Sequence, residues 1–236
     1  MLRPNPDLDP EALAAAFRGK RRLHIPNFLV REDADRLYES LKQDDRWRVV
    51  IKQGRDRHEF PTSLTLQQKD QLSLLARRAH PDSLQFRFDF IPVPESARER
   101  AEKPNALHAF NDFMCSDRLI SFFRTVTGVR EIGFADAQGT AYGTGDFLGE
   151  HNDEIAGLNR HAAYVMNLSP GWRVDWGGLL MFPDASGHVQ EAFAPVYNSL
   201  NLFAVPQNHS VSIVAPFAGD RRYAVSGWLR SGPAPA

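Results

Sequence analysis

Apolar residues in the first 130 positions recur mainly at helical spacing. Between Arg31 and Gln43, Ala34, Leu37, Tyr38 and Leu41 lie three or four positions apart, which predicts an amphipathic helix. The same spacing predicts further helices over residues 10–17, 64–79, 105–115 and 117–127, and shorter apolar runs predict strands within 21–30, 46–52 and 85–93.

After residue 130 the pattern changes to short apolar runs separated by Gly, Pro and Asn. The runs cover 131–142, 145–151, 161–168, 178–182, 187–193, 199–205, 209–215 and 221–229. Short strands at such intervals indicate a sandwich or jelly roll rather than a parallel α/β sheet. The sequence therefore predicts a mainly β fold with N-terminal helices (α+β) in a single domain, 1–236. Residues 1–130 would support a core at 131–230.

Composition narrows the classes of partner. The chain carries 28 Lys and Arg against 29 Asp and Glu, a net charge of −1, so neither nucleic acid nor a membrane is expected as a partner. No apolar run is long enough for a spanning helix, and the first residues lack the apolar segment of a signal peptide. The single cysteine, Cys115, cannot form an intrachain disulfide, which favours a cytoplasmic location.

Two His-x-Asp tripeptides are candidate metal sites. His80 and Asp82 follow a predicted helix and enclose a proline, so they are interpreted as a helix stop. His151 and Asp153 follow a predicted strand. Residues two apart on a strand point to the same face, so these two side chains could bind one ion.

A third ligand must come from elsewhere, and the histidines further along the chain are His161, His188 and His209. His209 begins an alternating run, which fits a strand. Two histidines and one carboxylate form a facial triad with open metal positions, suited to Fe(II) with a chelating co-substrate and dioxygen. If the triad were the only observation, the favoured interpretation of His209 would be a satisfied core or rim histidine.

Arg222 begins another alternating strand thirteen positions after His209. A guanidinium binds a carboxylate through two parallel hydrogen bonds, which a lysine cannot reproduce. Arg222 is therefore a candidate anchor for the far carboxylate of a dicarboxylic co-substrate. Its neighbour Arg221 points to the opposite face of the predicted strand and is expected to be a solvated charge. The alternative is that Arg221 is the anchor and Arg222 the solvated charge.

Several segments resemble one family in order and spacing. Residues 142–153 (YGTGDFLGEHND) resemble the Y-x-x-G-D-F-L-x-x-H-x-D segment of Fe(II)/2-oxoglutarate-dependent dioxygenases, and more narrowly of their prolyl-hydroxylase-like branch. Residues 177–183 resemble the branch's G-G-x-L-x-x-F strand, with Phe182 one place early. Residues 198–203 and 222–228 resemble its lead-in to the distal histidine and its closing arginine strand.

The resemblance implies a double-stranded β-helix core in which His151, Asp153 and His209 bind iron. It implies that Arg222 anchors 2-oxoglutarate with help from Tyr142. Asn167 stands where many relatives carry a second tyrosine, and it is included among the co-substrate residues. The implied cofactors are Fe(II), 2-oxoglutarate and dioxygen, with ascorbate as an optional addition.

The resemblance implies an oxidoreductase that couples decarboxylation of 2-oxoglutarate to hydroxylation of a C–H bond. It favours a prolyl residue of a protein or peptide as the substrate; the alternative is a small molecule or a free amino acid. A non-catalytic jelly-roll module that binds metal or sugar is a further alternative, but it would not need Arg222. Trp172 and Trp176 are interpreted either as lining a substrate entrance or as packing residues.

Overall fold

The computed structural model describes residues 2–53, 56–62, 64–65, 67–68, 71–72, 74, 83–233 and 235. The helix predicted over 64–79 lies partly outside the described residues. His80 and Asp82 also lie outside them, so the interpretation of that pair as a helix stop stays a prediction.

Side-chain caps begin most of the helices that the structure describes. The helices are α1 (Pro10–Lys20), α2 (Arg31–Gln43), α3 (Ala97–Glu102), α4 (Ala106–Met114) and α5 (Asp117–Thr127). The Asp9 side chain accepts hydrogen bonds from the first backbone N–H groups of α1. Ser116 caps α5 in the same way, and Gly128 ends it with a left-handed φ of 74°. The bounds of α2 and α5 match the predicted ranges.

The strands form one extended antiparallel sheet. Those before residue 130 are β1 (Arg22–Ile25), β2 (Arg48–Gln53), β3 (Asp56–Pro61) and β4 (Phe86–Pro92). The later strands are β5 (Ile132–Ala135), β6 (Gln138–Tyr142), β7 (Phe147–His151), β8 (Arg160–Asn167), β9 (Leu180–Pro183), β10 (Val189–Phe193), β11 (Ser199–Ala204), β12 (His209–Val211) and β13 (Arg222–Ser231).

The strand order β1-β11-β8-β13-β6-β4-β7-β12-β9-β10 curls into a nearly closed barrel, with β2 and β3 joined through β4 and β5 joined to β13. This arrangement confirms the predicted mainly β fold with N-terminal helices and a jelly-roll core. Strand β1 pairs with β11 and β4 pairs with β6 and β7, so the first 130 residues contribute directly to the sheet.

The two end strands of this order, β1 and β10, are bridged by side chains. Glu191 accepts hydrogen bonds from Arg22 Nε at 2.6 Å and from Lys20 Nζ at 2.7 Å. The ring of His24 lies 5.6 Å from that of Phe193, between centroids. These contacts form a seam along one side of the barrel.

The two largest apolar clusters form most of the core of the described residues. The larger one packs the helices against the sheet, and its buried members include Phe28, Phe110, Phe123 and Tyr164. Tyr164 donates a hydrogen bond to the Asp136 carbonyl at 2.7 Å, which satisfies its buried hydroxyl. The smaller cluster lies inside the barrel. Among the described residues, no helix has the length and apolar character needed to cross a membrane.

Candidate active site

A cavity of about 520 Å³ opens into the barrel, within the usual range for small-ligand sites. The residues that line it include Tyr142, Leu148, His209 and Arg222. The apolar part of its wall comes largely from β4, where Phe86, Phe88 and Phe90 alternate along the strand. The cavity thus lies where strands before and after residue 130 meet.

Strand pairing brings the two distant histidines together. His209, at the start of β12, lies directly opposite His151, at the end of β7. The side chain of His209 is 4% exposed and that of His151 is 16% exposed, so both lie mostly inside the cavity. Of the three histidines that follow Asp153 in the sequence, His209 is therefore the one that the fold places beside His151.

Asp153 completes the cluster by a route that differs from the expected one. Strand β7 ends at His151, and Asp153 has a left-handed φ of 64°. The argument from strand parity was therefore wrong, and a turn carries the carboxylate back toward the histidines. Asp153 Oδ1 lies 3.3 Å from His151 Nε2, and Oδ2 lies 3.4 Å from His209 Nε2. One candidate ligand atom from each residue lies within 4.8 Å of the others.

The histidine tautomers suit a metal. His151 Nδ1 lies 2.9 Å from the Gly149 carbonyl, and His209 Nδ1 lies 2.8 Å from the Gln207 carbonyl. Because a carbonyl only accepts hydrogen bonds, each Nδ1 carries the proton and each Nε2 presents a lone pair toward Asp153. Burial, aided by the nearby His151, lowers the pKa of His209 to about 4, so this ring is neutral near pH 7. Two imidazoles that present Nε2 and one carboxylate fit Fe(II).

Arg222 lies in the same cavity and carries an uncompensated charge. It begins β13 directly opposite Tyr142 on β6, and its guanidinium carbon lies 5.2 Å from the centroid of the Tyr142 ring. Arg222 is 2% exposed, and among the described residues it forms no ion pair. Its Nε has no hydrogen-bond partner there, and burial lowers its pKa. A buried cation without a counter-ion is costly, so the arrangement is suited to an anionic ligand.

Asn167, at the end of β8, lies beside Arg222. Its Oδ1 accepts a hydrogen bond from Arg222 Nη2 at 3.4 Å, and its Nδ2 donates to Ser199 Oγ at 3.1 Å. All three residues are buried. Of the predicted co-substrate residues, Arg222 and Tyr142 therefore line the cavity, whereas Asn167 lies behind Arg222 and is not part of the lining.

Asp146 holds the turn that follows Tyr142. Its Oδ2 accepts a hydrogen bond from the Gly143 N–H, and its Oδ1 pairs with Arg87 Nη1, both at 2.8 Å. Burial raises the pKa of Asp146 to about 7, although the charge of Arg87 opposes this shift. The turn that positions Tyr142 thus depends on a buried carboxyl group.

Arg221 is not the solvated charge that the sequence predicted. Its Nη2 forms an ion pair with Asp89 Oδ2 on β4, and its side chain is 34% exposed. The sequence also predicted that Arg221 and Arg222 point to opposite sides. This agrees with the structure, in which Arg222 lines the cavity and Arg221 does not. The partner is 132 positions away in the chain, which no local pattern reveals.

The structure favours packing over an entrance for Trp172 and Trp176. Their rings meet edge to face at 5.3 Å between centroids, and Trp172 Nε1 donates to the Gly177 carbonyl at 3.0 Å. Neither residue is among those lining the cavity.

Sequence reasoning missed other residues of the cavity wall. The guanidinium carbon of Arg160 lies 3.6 Å from the centroid of the Trp228 ring, and Arg160 Nη1 donates to the Asp153 carbonyl at 3.1 Å. The sequence could have indicated Trp228 as a lining residue, because it lies an even number of positions from Arg222 on the same strand. It could also have indicated the aromatic residues of β4, because they occupy alternate positions. Arg160 gave no such indication.

The comparisons with known proteins agree with this geometry. The family model described as "2OG-Fe(II) oxygenase superfamily" matches residues 137–230. A search of curated protein sequences gave no match.

Solved structures share the fold across nearly the whole chain. A prolyl-4-hydroxylase from Pseudomonas putida is 17% identical, with a TM-score of 0.61 and coverage of 94% of this chain and 99% of that one. A 2OG-Fe(II) oxygenase family oxidoreductase from Burkholderia pseudomallei is 14% identical, with a TM-score of 0.62 and coverage of 98% and 95%. A prolyl hydroxylase from Trichoplax adhaerens, in complex with a hypoxia inducible factor peptide fragment, is 17% identical, with a TM-score of 0.61 and coverage of 94% and 89%.

At these identities the structural likeness establishes the fold, and the family model indicates the chemistry of the region that it matches, residues 137–230. Its description names both 2-oxoglutarate and Fe(II), and the region it matches contains the cluster of His151, Asp153 and His209. Residues 137–230 therefore match the 2OG-Fe(II) oxygenase superfamily, and this match together with the His-Asp-His cluster supports a dioxygenase that uses Fe(II) and 2-oxoglutarate.

Proposed function

We propose that this dioxygenase hydroxylates a prolyl residue of a protein or peptide, with His151, Asp153 and His209 as the iron ligands. Arg222 anchors the distal carboxylate of 2-oxoglutarate, and Tyr142 packs beside it. The observation that carries this assignment is the buried, unpaired guanidinium of Arg222 in the same cavity as the cluster. A metal-binding or sugar-binding module would have no use for such a charge.

The protein contributes position and exclusion of water. The Gly149 and Gln207 carbonyls fix both imidazoles with Nε2 toward the metal position. When bound, iron would supply the oxidation of the substrate C–H bond by dioxygen, in which one oxygen atom enters the substrate as hydroxyl and the other enters succinate as 2-oxoglutarate loses carbon dioxide. Arg222 holds the co-substrate in one orientation through paired hydrogen bonds. The aromatic side chains of β4 keep that end of the cavity apolar.

Two observations support a prolyl substrate. The structural relatives include prolyl hydroxylases that share almost the whole fold, one of them in complex with a peptide. The cavity also presents an apolar aromatic wall, a surface on which a pyrrolidine ring can pack. We further propose that the chain acts as a single domain in a reducing cytoplasm, with residues 1–130 supporting the core.

A small molecule or free amino acid is the second candidate substrate, because a cavity of about 520 Å³ can enclose one. Succinate formation by the Fe(II)-loaded enzyme separates the candidates. Stimulation by proline-containing peptides, with hydroxyproline in the product, supports the first proposal. Stimulation by free amino acids but not by peptides contradicts it.

Anaerobic titration tests the site before any substrate is known. Addition of 2-oxoglutarate to the Fe(II) protein should produce a weak visible charge-transfer band, since the co-substrate chelates the metal. The Arg222→Lys variant should need more 2-oxoglutarate to reach the same band. Absence of the band in the wild-type protein would contradict the assigned ligands.

A further inference from the structure

A chain of buried polar side chains lies behind Arg222. Asn167 on β8 pairs in register with Ser199 on β11 and with Ala224 on β13, two positions from Arg222. Ser199 and Asn167 have no exposed surface, and Arg222 is 2% exposed. Every hydrogen bond between them is therefore made without competition from water.

The hydrogen bonds of Ser199 determine which way the Asn167 amide points. Ser199 Oγ lies 2.6 Å from the Val196 carbonyl, which only accepts, so the hydroxyl donates there. Its lone pairs then accept from Asn167 Nδ2 at 3.1 Å, and the Ser199 carbonyl accepts from the same nitrogen at 3.3 Å. The amide nitrogen must face Ser199, and Oδ1 must face Arg222.

This orientation gives Arg222 a neutral hydrogen-bond acceptor. Asn167 Oδ1 accepts from Arg222 Nη2 at 3.4 Å and so limits the rotation of the guanidinium. A carboxylate at the same position would pair with the guanidinium and neutralise it. The amide orients the cation without consuming its charge.

We propose that Ser199 and Asn167 are positioning residues that orient Arg222 and keep its charge available for the distal carboxylate of 2-oxoglutarate. The inference rests on the proposed binding of 2-oxoglutarate at Arg222. It replaces the expectation that Asn167 holds the co-substrate itself, and it gives Ser199, which no sequence motif singled out, a part in the site.

The test compares Asn167→Asp and Ser199→Ala with the wild-type protein. Calorimetry measures the affinity of the Mn(II)-loaded protein for 2-oxoglutarate, and separate titrations measure Mn(II) affinity and the thermal midpoint. Asn167→Asp should lose on the order of tenfold to a hundredfold in 2-oxoglutarate affinity, because the new carboxylate competes for the guanidinium. Its Mn(II) affinity should be unchanged, whereas a merely structural role would weaken Mn(II) binding together with 2-oxoglutarate binding.

Ser199→Ala removes the group that orients the amide and should weaken 2-oxoglutarate binding by roughly threefold to tenfold. Asn201→Asp is the matched control. Asn201 is also a buried asparagine on β11, but its Oδ1 lies 2.7 Å from His24 Nδ1 and it is not hydrogen-bonded to Arg222. This variant should bind 2-oxoglutarate as the wild-type protein does.

Wild-type affinity in both Asn167→Asp and Ser199→Ala would overturn the inference. If Asn167→Asp does not fold, the test rests on Ser199→Ala. Unchanged 2-oxoglutarate affinity in that variant would then overturn the inference. Failure of the wild-type protein to bind 2-oxoglutarate would contradict the proposed function and the inference with it. Wild-type binding with unaffected variants would contradict the inference alone.

Discussion

His151 and His209 face each other across the pairing of β7 and β12, with their ring centroids 4.1 Å apart. Asp153 lies against both Nε2 atoms. We expect His151→Ala, Asp153→Ala and His209→Ala each to abolish 2-oxoglutarate turnover, because each removes one metal ligand. Succinate formation and Fe(II) binding would be measured, with circular dichroism to show that the fold persists.

His188→Ala is the control for the ligand variants, since His188 is exposed and lies between β9 and β10. Its turnover should equal that of the wild-type protein. Wild-type turnover in any of the three ligand variants would show that the assignment is wrong at that position.

Arg222→Lys should raise the Michaelis constant for 2-oxoglutarate while leaving Fe(II) affinity unchanged. A lysine keeps the charge but loses the paired hydrogen bonds, worth about 1.5–3 kcal/mol, or on the order of tenfold to a hundredfold in affinity. Turnover without added substrate, followed as succinate, provides the measurement.

Arg221→Lys is the matched change at the residue immediately before β13, which does not line the cavity. Because Arg221 pairs with Asp89 outside the cavity, its replacement should leave the Michaelis constant unchanged and lower the free energy of unfolding slightly. An effect on 2-oxoglutarate from Arg221 and none from Arg222 would reverse the proposed assignment.

The stability of the fold should depend on pH through Asp146. Its pKa is raised to about 7, so between about pH 4 and pH 7 the folded protein holds a proton that the unfolded chain releases. The contribution of Asp146 to the free energy of unfolding is therefore largest at low pH and is lost as the pH rises through 7.

Urea unfolding of the wild-type protein and of Asp146→Asn at several pH values isolates this contribution, because all other groups titrate in both. The stability of the wild-type protein relative to the variant should fall from pH 5 to pH 8. A difference that is constant with pH, or that grows, would show that Arg87 keeps Asp146 ionised throughout.

Gly177→Ala should destabilise the fold strongly. Gly177 has a φ of 72°, and an added Cβ would lie 2.1 Å from the Ile213 carbonyl oxygen. Left-handed strain and the clash together should cost roughly 2–5 kcal/mol. Gly171 has a similar φ of 68° but open space around it, so Gly171→Ala should cost only about 1–2 kcal/mol. Equal urea midpoints for the two variants would contradict this account.

Local patterns predicted the helices well. The apolar stripe of Arg31–Gln43 and the capping residues Ser116 and Gly128 act within a few positions, so the sequence displays them directly. Strand β3 (Asp56–Pro61) was missed, because its residues are polar and it is exposed for most of its length. Its pairing with β2 becomes visible only in the folded chain.

The candidate site was predictable where residue type and order carried the signal. His151, Asp153, His209 and Arg222 were all named from the sequence, and the fold brings them to one cavity. The turn that positions Asp153 was not predicted, because the alternating pattern indicated an extended strand through a residue whose φ is in fact left-handed, at 64°.

The seam between β1 and β10 has a consequence for association between molecules. An end strand offers free N–H and C=O groups to which another chain can add a strand. At this seam Glu191 already forms ion pairs with Lys20 and with Arg22. An added strand would have to break those ion pairs or bury their charges. The contacts that bridge the barrel therefore also protect it against aggregation along its open side.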